Sequence, residues 1–349
     1  MSVDDAPHDP IDHEPVMLRE IIQGLDLESG NTVVDATAGR GGHAQAIARA
    51  IGRQGTLLLL DVDEINLAFA SERVRALADA PRVVVAHSNF SNVADVLRQH
   101  SLCADAFLAD LGFASNQMSD GARGFSFAAD GPLDMRLDQS TGESAHALLN
   151  RVTEAELADL IFQLGEDPFS RRIARRIIYI RDLGLLKTTT DLAKAVVSAY
   201  GGKARQSRMH PATRTFMALR IAVNKELESL DTLLAVFQQE IAGFSLARAA
   251  DFKGQDHSIF GAGASQSDSI VRGSALGTPH TWLARNARMA ILAFHSLEDR
   301  LIKRAFTDWE RQGWVTRIGR KPLVASEAEC GANPRSRSAK LRTVRIVGI

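Results

Sequence analysis

Apolar residues along this chain switch repeatedly between two periods. From Val16 to Leu25 they recur at helical spacing, with Gly24 as a stop, and Thr32 to Ala36 then reads as a short strand. His43 to Ile51 is helical again and ends at Gly52, and Thr56 to Asp61 is a second strand. Ile65 to Ala78 reads as a helix, Arg82 to Ala86 as a strand, Asn92 to His100 as a helix and Ala106 to Asp110 as a strand. This alternation predicts an α/β fold, a Rossmann-like doubly wound parallel sheet covered on both faces. Ligands of such sheets sit beyond the carboxyl ends of the strands, which is where Asp35, Asp61 and Asp110 fall.

The pattern changes after Gly112. As far as Pro132 the periodicity gives way to Gly, Ser, Asn and aromatic residues, a long irregular segment of the kind that carries function. Thr153-Glu154-Ala155-Glu156 is a capping box that opens a helical region. Within it Arg171, Arg172, Arg175, Arg176 and Arg181 surround Ile173, Ile177, Ile178 and Ile180, a basic amphipathic surface for an anionic partner or, alternatively, a solvated face. Pro211 suits the start of a long helix, striped by Phe216, Leu219, Val223, Leu227, Leu230 and Leu234. Gly243 to Thr281 is rich in Gly, Ser and Ala with weak periodicity and reads as a mobile insertion. Strand character returns at Met289 to Phe294, a helix follows through Trp309, and the tail from Asn333 to Arg345 is basic (Arg335, Arg337, Lys340, Arg342, Arg345), a second phosphate-contacting candidate.

Composition narrows the picture only slightly. The 349 residues carry 41 basic and 42 acidic side chains, so contact with nucleic acid must come from local patches rather than a global field. Cys103 and Cys330 lie in no metal or redox spacing, no apolar run has the length of a membrane span, and the first ten residues lack signal-peptide order. These features predict a cytoplasmic protein with no membrane partner, and no metal-ligand spacing is present.

The chemistry is densest at Val33 to His43, V-V-D-A-T-A-G-R-G-G-H. An acid ends an apolar run, and a glycine-dense turn then opens a helix, so the backbone can approach a ligand and the helix presents unpaired N–H groups. Asp61 lies nineteen residues beyond Gly42, the spacing that places a carboxylate at the tip of the neighbouring strand to accept ribose hydroxyls.

Several longer motifs then match one family in order. They are His13-Glu14-Pro15-Val16-Met17-Leu18, the Asp35 to His43 turn, Arg123-Gly124-Phe125-Ser126-Phe127 and Asp130-Gly131-Pro132-Leu133-Asp134-Met135-Arg136. His210-Pro211-Ala212-Thr213-Arg214-Thr215-Phe216, Phe294-His295-Ser296-Leu297-Glu298-Asp299-Arg300 and Asn333-Pro334-Arg335 with Arg337-Ser338 complete the set. The sequence resembles the RsmH (MraW) family of bacterial 16S ribosomal RNA cytosine-N4 methyltransferases from His13 to Arg345, apart from the insertion. The resemblance implies a class I methyltransferase sheet with a smaller inserted helical domain, S-adenosylmethionine as cofactor, and a cytidine N4 in the decoding region of 16S rRNA as substrate. With it the chain divides into a cofactor domain over 13–114 and 284–349 that includes a helix over 211–240 and a substrate-recognition domain over 115–209, while the residues themselves read as a disordered head over 1–12 and a mobile insertion over 243–283.

By matching position, the resemblance places cofactor contacts at Gly41, Gly42, His43, Asp61, Phe90, Asp110 and Gln117. Asp110 is the candidate orienter of the amine and acceptor of its proton, with a purely cofactor-binding role as the alternative. Phe125, Phe127, Arg136, Arg214 and His295 are candidates for receiving an everted base. Two departures stand out: Ala114-Ser115-Asn116-Gln117 replaces the family's Ser-Ser-Pro-Gln, and Ala284-Arg285-Asn286-Ala287 stands where a Pro-Gly-Gly turn is usual. Two rival readings are a nicotinamide-dependent dehydrogenase, which shares the glycine turn and distant acid, and a non-catalytic RNA-binding assembly factor that would need only the arginine-rich helix.

Overall fold

In a computed structural model, residues 15–206, 209–254 and 281–347 are described. The expected disordered head lies outside them, as does the part of the expected insertion from 255 to 280. Seven strands, β1 (Thr32–Asp35), β2 (Thr56–Asp61), β3 (Arg82–His87), β4 (Ala104–Asp110), β5 (Leu283–Ala293), β6 (Val315–Arg317) and β7 (Lys340–Ile346), form one sheet in the order β3-β2-β1-β4-β5-β7-β6. The first five are parallel, and β7 runs antiparallel to both β5 and β6. The strand order reverses between β1 and β4, so a crevice opens beyond their carboxyl ends.

Helices α1 (Leu18–Leu25), α2 (Gly42–Ile51), α3 (Glu64–Arg75) and α4 (Val93–Gln99) follow the predicted segments to within a few residues, and a short α5 (Ser115–Ser119) lies in the irregular segment. Alternation along β2 shows why the sheet is buried on both sides. Leu57 and Leu59 join Ile21, Ile47 and Leu67 on one face, while Leu58 and Leu60 join Phe237, Trp282 and Phe306 on the other.

A second body of structure comprises α6 (Ala145–Arg151), α7 (Glu154–Gly165), α8 (Ser170–Asp182), α9 (Thr189–Tyr200) and α10 (Ala212–Asn224), packed around Leu149, Leu157, Ile161, Ile177 and Phe216. The capping box at Thr153 and Glu156 is formed as expected. The single long helix expected over 211–240 is in fact two. α10 ends at Lys225, which takes a left-handed φ of 51°, and α11 (Glu226–Gly254) begins beyond it. Phe216 and Leu219 serve the helical core, whereas Leu230, Leu233 and Phe237 serve the sheet, and no straight helix could reach both. Asn224 pins the corner: its Nδ2 donates to Met135 O at 2.8 Å, and its Oδ1 accepts from Leu137 N at 2.7 Å. Helix α11 also runs on to Gly254, so the start of the supposed insertion at Gly243 is helical.

β5 begins earlier than predicted and includes the Ala284–Ala287 segment. It bulges between Leu283 and Arg288 opposite Ala104 and Ala106, with Asn286 left-handed at φ 61°, so an Asn takes the role that glycine would fill in the family's turn. Helices α12 (Ser296–Arg311) and α13 (Glu327–Ala332) complete the chain. The basic tail is largely committed to the fold, because Lys340 Nζ and Arg342 Nε both donate to Asp299, at 3.1 and 2.7 Å.

Candidate active site

A cavity of about 520 Å³ opens at the strand tips, within the range of small-molecule and cofactor sites. Its first end is built by β1, β2 and β4. The Asp61 carboxylate accepts from Gly39 N (2.7 Å) and Asp63 N (2.8 Å), which fixes the glycine turn against β2. Burial pushes Asp61 up to about 6. Among the described residues, Asp110 receives no such amides on its carboxylate. Its own N–H donates to Thr37 Oγ1 at 2.7 Å, and its carboxylate faces His43 Nε2 at 3.4 Å. Beneath them Asp35 is fully buried and pushed up to about 7, chiefly by burial, with the Asp110 and Asp61 carboxylates adding to it and His43 opposing.

Gly41 is left-handed at φ 80°, and Gly42 opens α2 in close contact with Pro15: a Cβ on Gly42 would lie 2.5 Å from the proline ring. The turn can therefore stay thin against the cavity. Phe90 sits after β3 and lines the same space. Gln117 lines it too, but its side chain is spent on structure: Nε2 donates to Asp63 Oδ2 (2.8 Å) and Oε1 accepts from Ala114 N (2.8 Å). That bond closes the first turn of α5 without the proline that the family has there.

All seven expected cofactor positions therefore lie at one place, with Gly41 contributing as backbone behind the lining. The donor set suits S-adenosylmethionine. Carboxylates can accept from ribose hydroxyls and an ammonium, an aromatic ring can cover adenine, and Asp35 Oδ2, His43 Nδ1 and Asp110 Oδ1 are buried with no partner among the described residues.

Sequence reasoning missed the clamp behind this end. Arg123 is buried and donates through Nη1 to Asp63 Oδ2 (2.8 Å) and through Nη2 to Leu137 O (2.8 Å), which ties α5 and the irregular segment to the start of α3. Although burial alone would raise Asp63, the bonds from Gln117 and Arg123 hold it below the usual carboxylate range. Asp63 also caps α3 by accepting from Ile65 N and Asn66 N, both at 3.1 Å. The acid-x-acid spacing of Asp61 and Asp63 was the available signal.

The base-receiving candidates fare differently. Arg136 lines the cavity, with its guanidinium held in a two-point pairing by Asp134 (2.9 and 2.8 Å). Phe125 is buried and stacks on Phe113, with ring centroids 5.6 Å apart. Phe127, half-buried against the helical body, stacks on the exposed His210 at 4.4 Å and does not line the cavity. Arg214 donates to Glu166 O at 2.7 Å and is likewise absent from the lining. His295 is the N-cap of α12, its Nδ1 accepting from Glu298 N at 3.4 Å and its Nε2 lying 3.1 Å from Glu298 Oε1, so it caps a helix instead of presenting a ring. Its neighbour Phe294 is the residue that lines the cavity.

The second end of the cavity is lined by Gly112, Phe113, Glu226, Phe294, Asn333 and Arg335. Arg220 binds Glu226 through two bonds of 2.8 Å and lies 4.8 Å over the Phe113 ring. The spacing of the sequence suggested no metal ligands, yet Glu226, His295 and Glu298 bring three ligand-type atoms within 4.8 Å of one another. Arg220 and the α12 cap already engage them.

The profile of the MraW methylase family matches residues 10–244 and 273–347. The chain belongs to the MraW methylase family. It is 39% identical over 335 residues to ribosomal RNA small subunit methyltransferase H of Acidobacterium capsulatum, covering 95% of this chain and 97% of that one. The namesake protein of Sorangium cellulosum is 40% identical over 337 residues, covering 96% and 91%. A methyltransferase homologue from Pyrococcus horikoshii aligns in structure over 93% of this chain and 64% of its own, at 10% identity and a TM-score of 0.34, too remote to add to the argument. Membership of a methylase family replaces both rival readings, the dehydrogenase and the non-catalytic assembly factor. Among the described residues no helix is long and apolar enough to cross a membrane.

Proposed function

We propose that this MraW methylase transfers a methyl group from S-adenosylmethionine to the N4 amine of a cytidine in the decoding region of 16S rRNA, in the cytoplasm where that RNA is assembled. One observation carries the reading: Asp110, at the tip of β4, faces the cavity built by the glycine turn and Asp61, in a chain of which 95% aligns with a small-subunit rRNA methyltransferase. When bound, the cofactor supplies an electrophilic methyl on a sulfonium.

The cytosine amine is a weak nucleophile because its lone pair is delocalised into the ring. The protein's task is to orient it and accept its hydrogens. Asp110 does both in this reading, and His43 at 3.4 Å holds the carboxylate in place. Gly41, Gly42, His43 and Phe90 seat the cofactor, Asp61 takes the ribose, and Gln117 fixes α5 beneath it. The exposed Arg171, Arg172 and Arg175 on α8 supply phosphate contacts for the RNA.

Nucleoside mass spectrometry of 16S rRNA from cells with and without the gene tests this. One N4-methylcytidine should disappear and return on complementation with the wild-type gene. An unchanged profile overturns the reading.

A further inference from the structure

The second end of the cavity has a chemistry that the cofactor does not need. Arg335, from the tail, reaches back across the sheet so that its Nη2 donates to Phe113 O, and its guanidinium lies 5.5 Å from the Phe113 ring. Phe113 is already engaged by Phe125 and Arg220, so its ring serves as a wall and its carbonyl as an anchor for the guanidinium. The backbone around Arg335 is fixed as well, since Asn333 Oδ1 accepts from Arg335 N at 3.2 Å with Pro334 opening the turn. Burial pulls Arg335 below its ordinary value, the Asp110 carboxylate opposes that effect, and both side chains line the same cavity. The same cavity is lined by Gly112, left-handed at φ 106° and without a Cβ to obstruct, and by the ring of Phe294, 3.7 Å from where that Cβ would be.

A carboxylate and a guanidinium facing one space present an acceptor beside a set of donors. Cytosine offers the complement along its pairing edge: the N4 amine donates, while N3 and O2 accept. Uracil reverses the first two positions, setting O4 against the carboxylate and N3–H against the guanidinium. We propose that Arg335 is the specificity-determining partner of Asp110, donating to N3 and O2 of an everted cytosine whose N4 faces Asp110, with Phe294 beside the base. This rests on the reading under Proposed function and adds a residue that selects the base. Sites built on such hydrogen bonds reject analogues lacking them far more strongly than apolar pockets do.

The test uses full-length protein and small subunits reconstituted with 16S rRNA carrying either cytidine or 3-deazacytidine at the target, where a C–H replaces N3. Single-turnover methylation, cofactor affinity and melting temperature are measured for wild type, Arg335→Ala and Arg335→Lys. The Arg335→Ala rate on cytidine should fall on the order of 10- to 100-fold, as expected for lost hydrogen bonds to the base, with cofactor affinity unchanged and melting lowered only modestly by loss of the bond to Phe113 O. Arg335→Lys should recover part of it. The 3-deaza substrate should slow wild type strongly but cost Arg335→Ala little more, because the contact is already gone. A wild-type rate for Arg335→Ala, or losses that multiply independently, overturns this inference alone. Failure of wild type to methylate the cytidine substrate overturns the proposed function itself.

Discussion

The two ends of the cavity are held by different physics. At the cofactor end, side chains at the tips of parallel strands are fixed by backbone amides two residues away or in the turn that follows the adjacent strand: Asp61 by Gly39 and Asp63, Asp35 by Thr37. Once the sheet forms, these two carboxylates are placed, and charge pairing enters behind them, where Arg123 binds Asp63. At the far end the wall is made of side chains that bridge remote segments, Arg220 to Glu226 and Arg335 to Phe113, with Asn224 at the corner between α10 and α11. That end exists only when the helical body docks against the sheet. A cofactor seat set by the sheet can stay constant while the base-receiving wall is tuned by substitutions that leave it alone.

The sharpest way to break this division is at Asp110, which belongs to both ends. Asp110→Ala should lower single-turnover methylation by about 10²- to 10⁴-fold, the usual scale for losing a positioned proton acceptor, while cofactor affinity changes only a few-fold. Calorimetry of cofactor binding beside the rate measurement decides between the two roles. An equal loss in both would make Asp110 a cofactor ligand only.

The second effect belongs to the cofactor end alone. Because Asp35 is raised from 3.8 to about 7, the folded protein holds that proton more tightly than the unfolded chain. The associated stability is fully present below about pH 4 and is lost as the pH rises through about 7, and the gap corresponds to at most about 4 kcal/mol. Asp35→Asn lacks this titration. Its melting temperature relative to wild type should therefore rise between pH 5 and pH 8, measured without cofactor, and a difference independent of pH would show that Asp35 carries no such linkage.

The same division governs what could be read in the chain. β1 to β4 were legible because each is a short apolar run closed by a turn, and the terminal acids of β1, β2 and β4 mark one edge of the sheet. The far end was not, because its residues are separated by long stretches of chain. Arg335 and Phe113 lie 222 positions apart, and nothing local to either announces the other. Choosing His295 over Phe294 missed by one position, which is enough to exchange a cavity-lining ring for a helix cap. The break at Lys225 was invisible for another reason. The apolar stripe continues across it in helical register, and only the competition between two cores, pinned by Asn224, bends the chain there.

A smaller effect tests the far end. Glu226 and Arg220 are 11% and 13% exposed, so Glu226→Gln leaves a nearly buried guanidinium without its counter-charge. Losing one partner of such a pair costs about 3–5 kcal/mol when fully buried, and about 2–3 kcal/mol is expected with this residual solvent access. Thermal melting should show that loss while cofactor affinity stays within a few-fold of wild type. A parallel collapse of cofactor binding would mean that the two ends are not independent.

The smallest effect separates two glycines of the same turn. Gly41 and Gly39 both have positive φ, 80° and 49°, so alanine at either position takes on left-handed strain of roughly 1–2 kcal/mol. Their surroundings differ. A Cβ on Gly41 would stand 3.0 Å from the Ala70 Cα on α3, a backbone atom that cannot swing aside, whereas on Gly39 the nearest atom is 3.9 Å away. Gly41→Ala should therefore destabilise by about 1 kcal/mol more than Gly39→Ala, since overpacking adds to the strain, and urea unfolding of the two variants reads the difference directly. Equal losses would mean that α3 yields, and that the glycine turn is held less rigidly against it than the contacts imply.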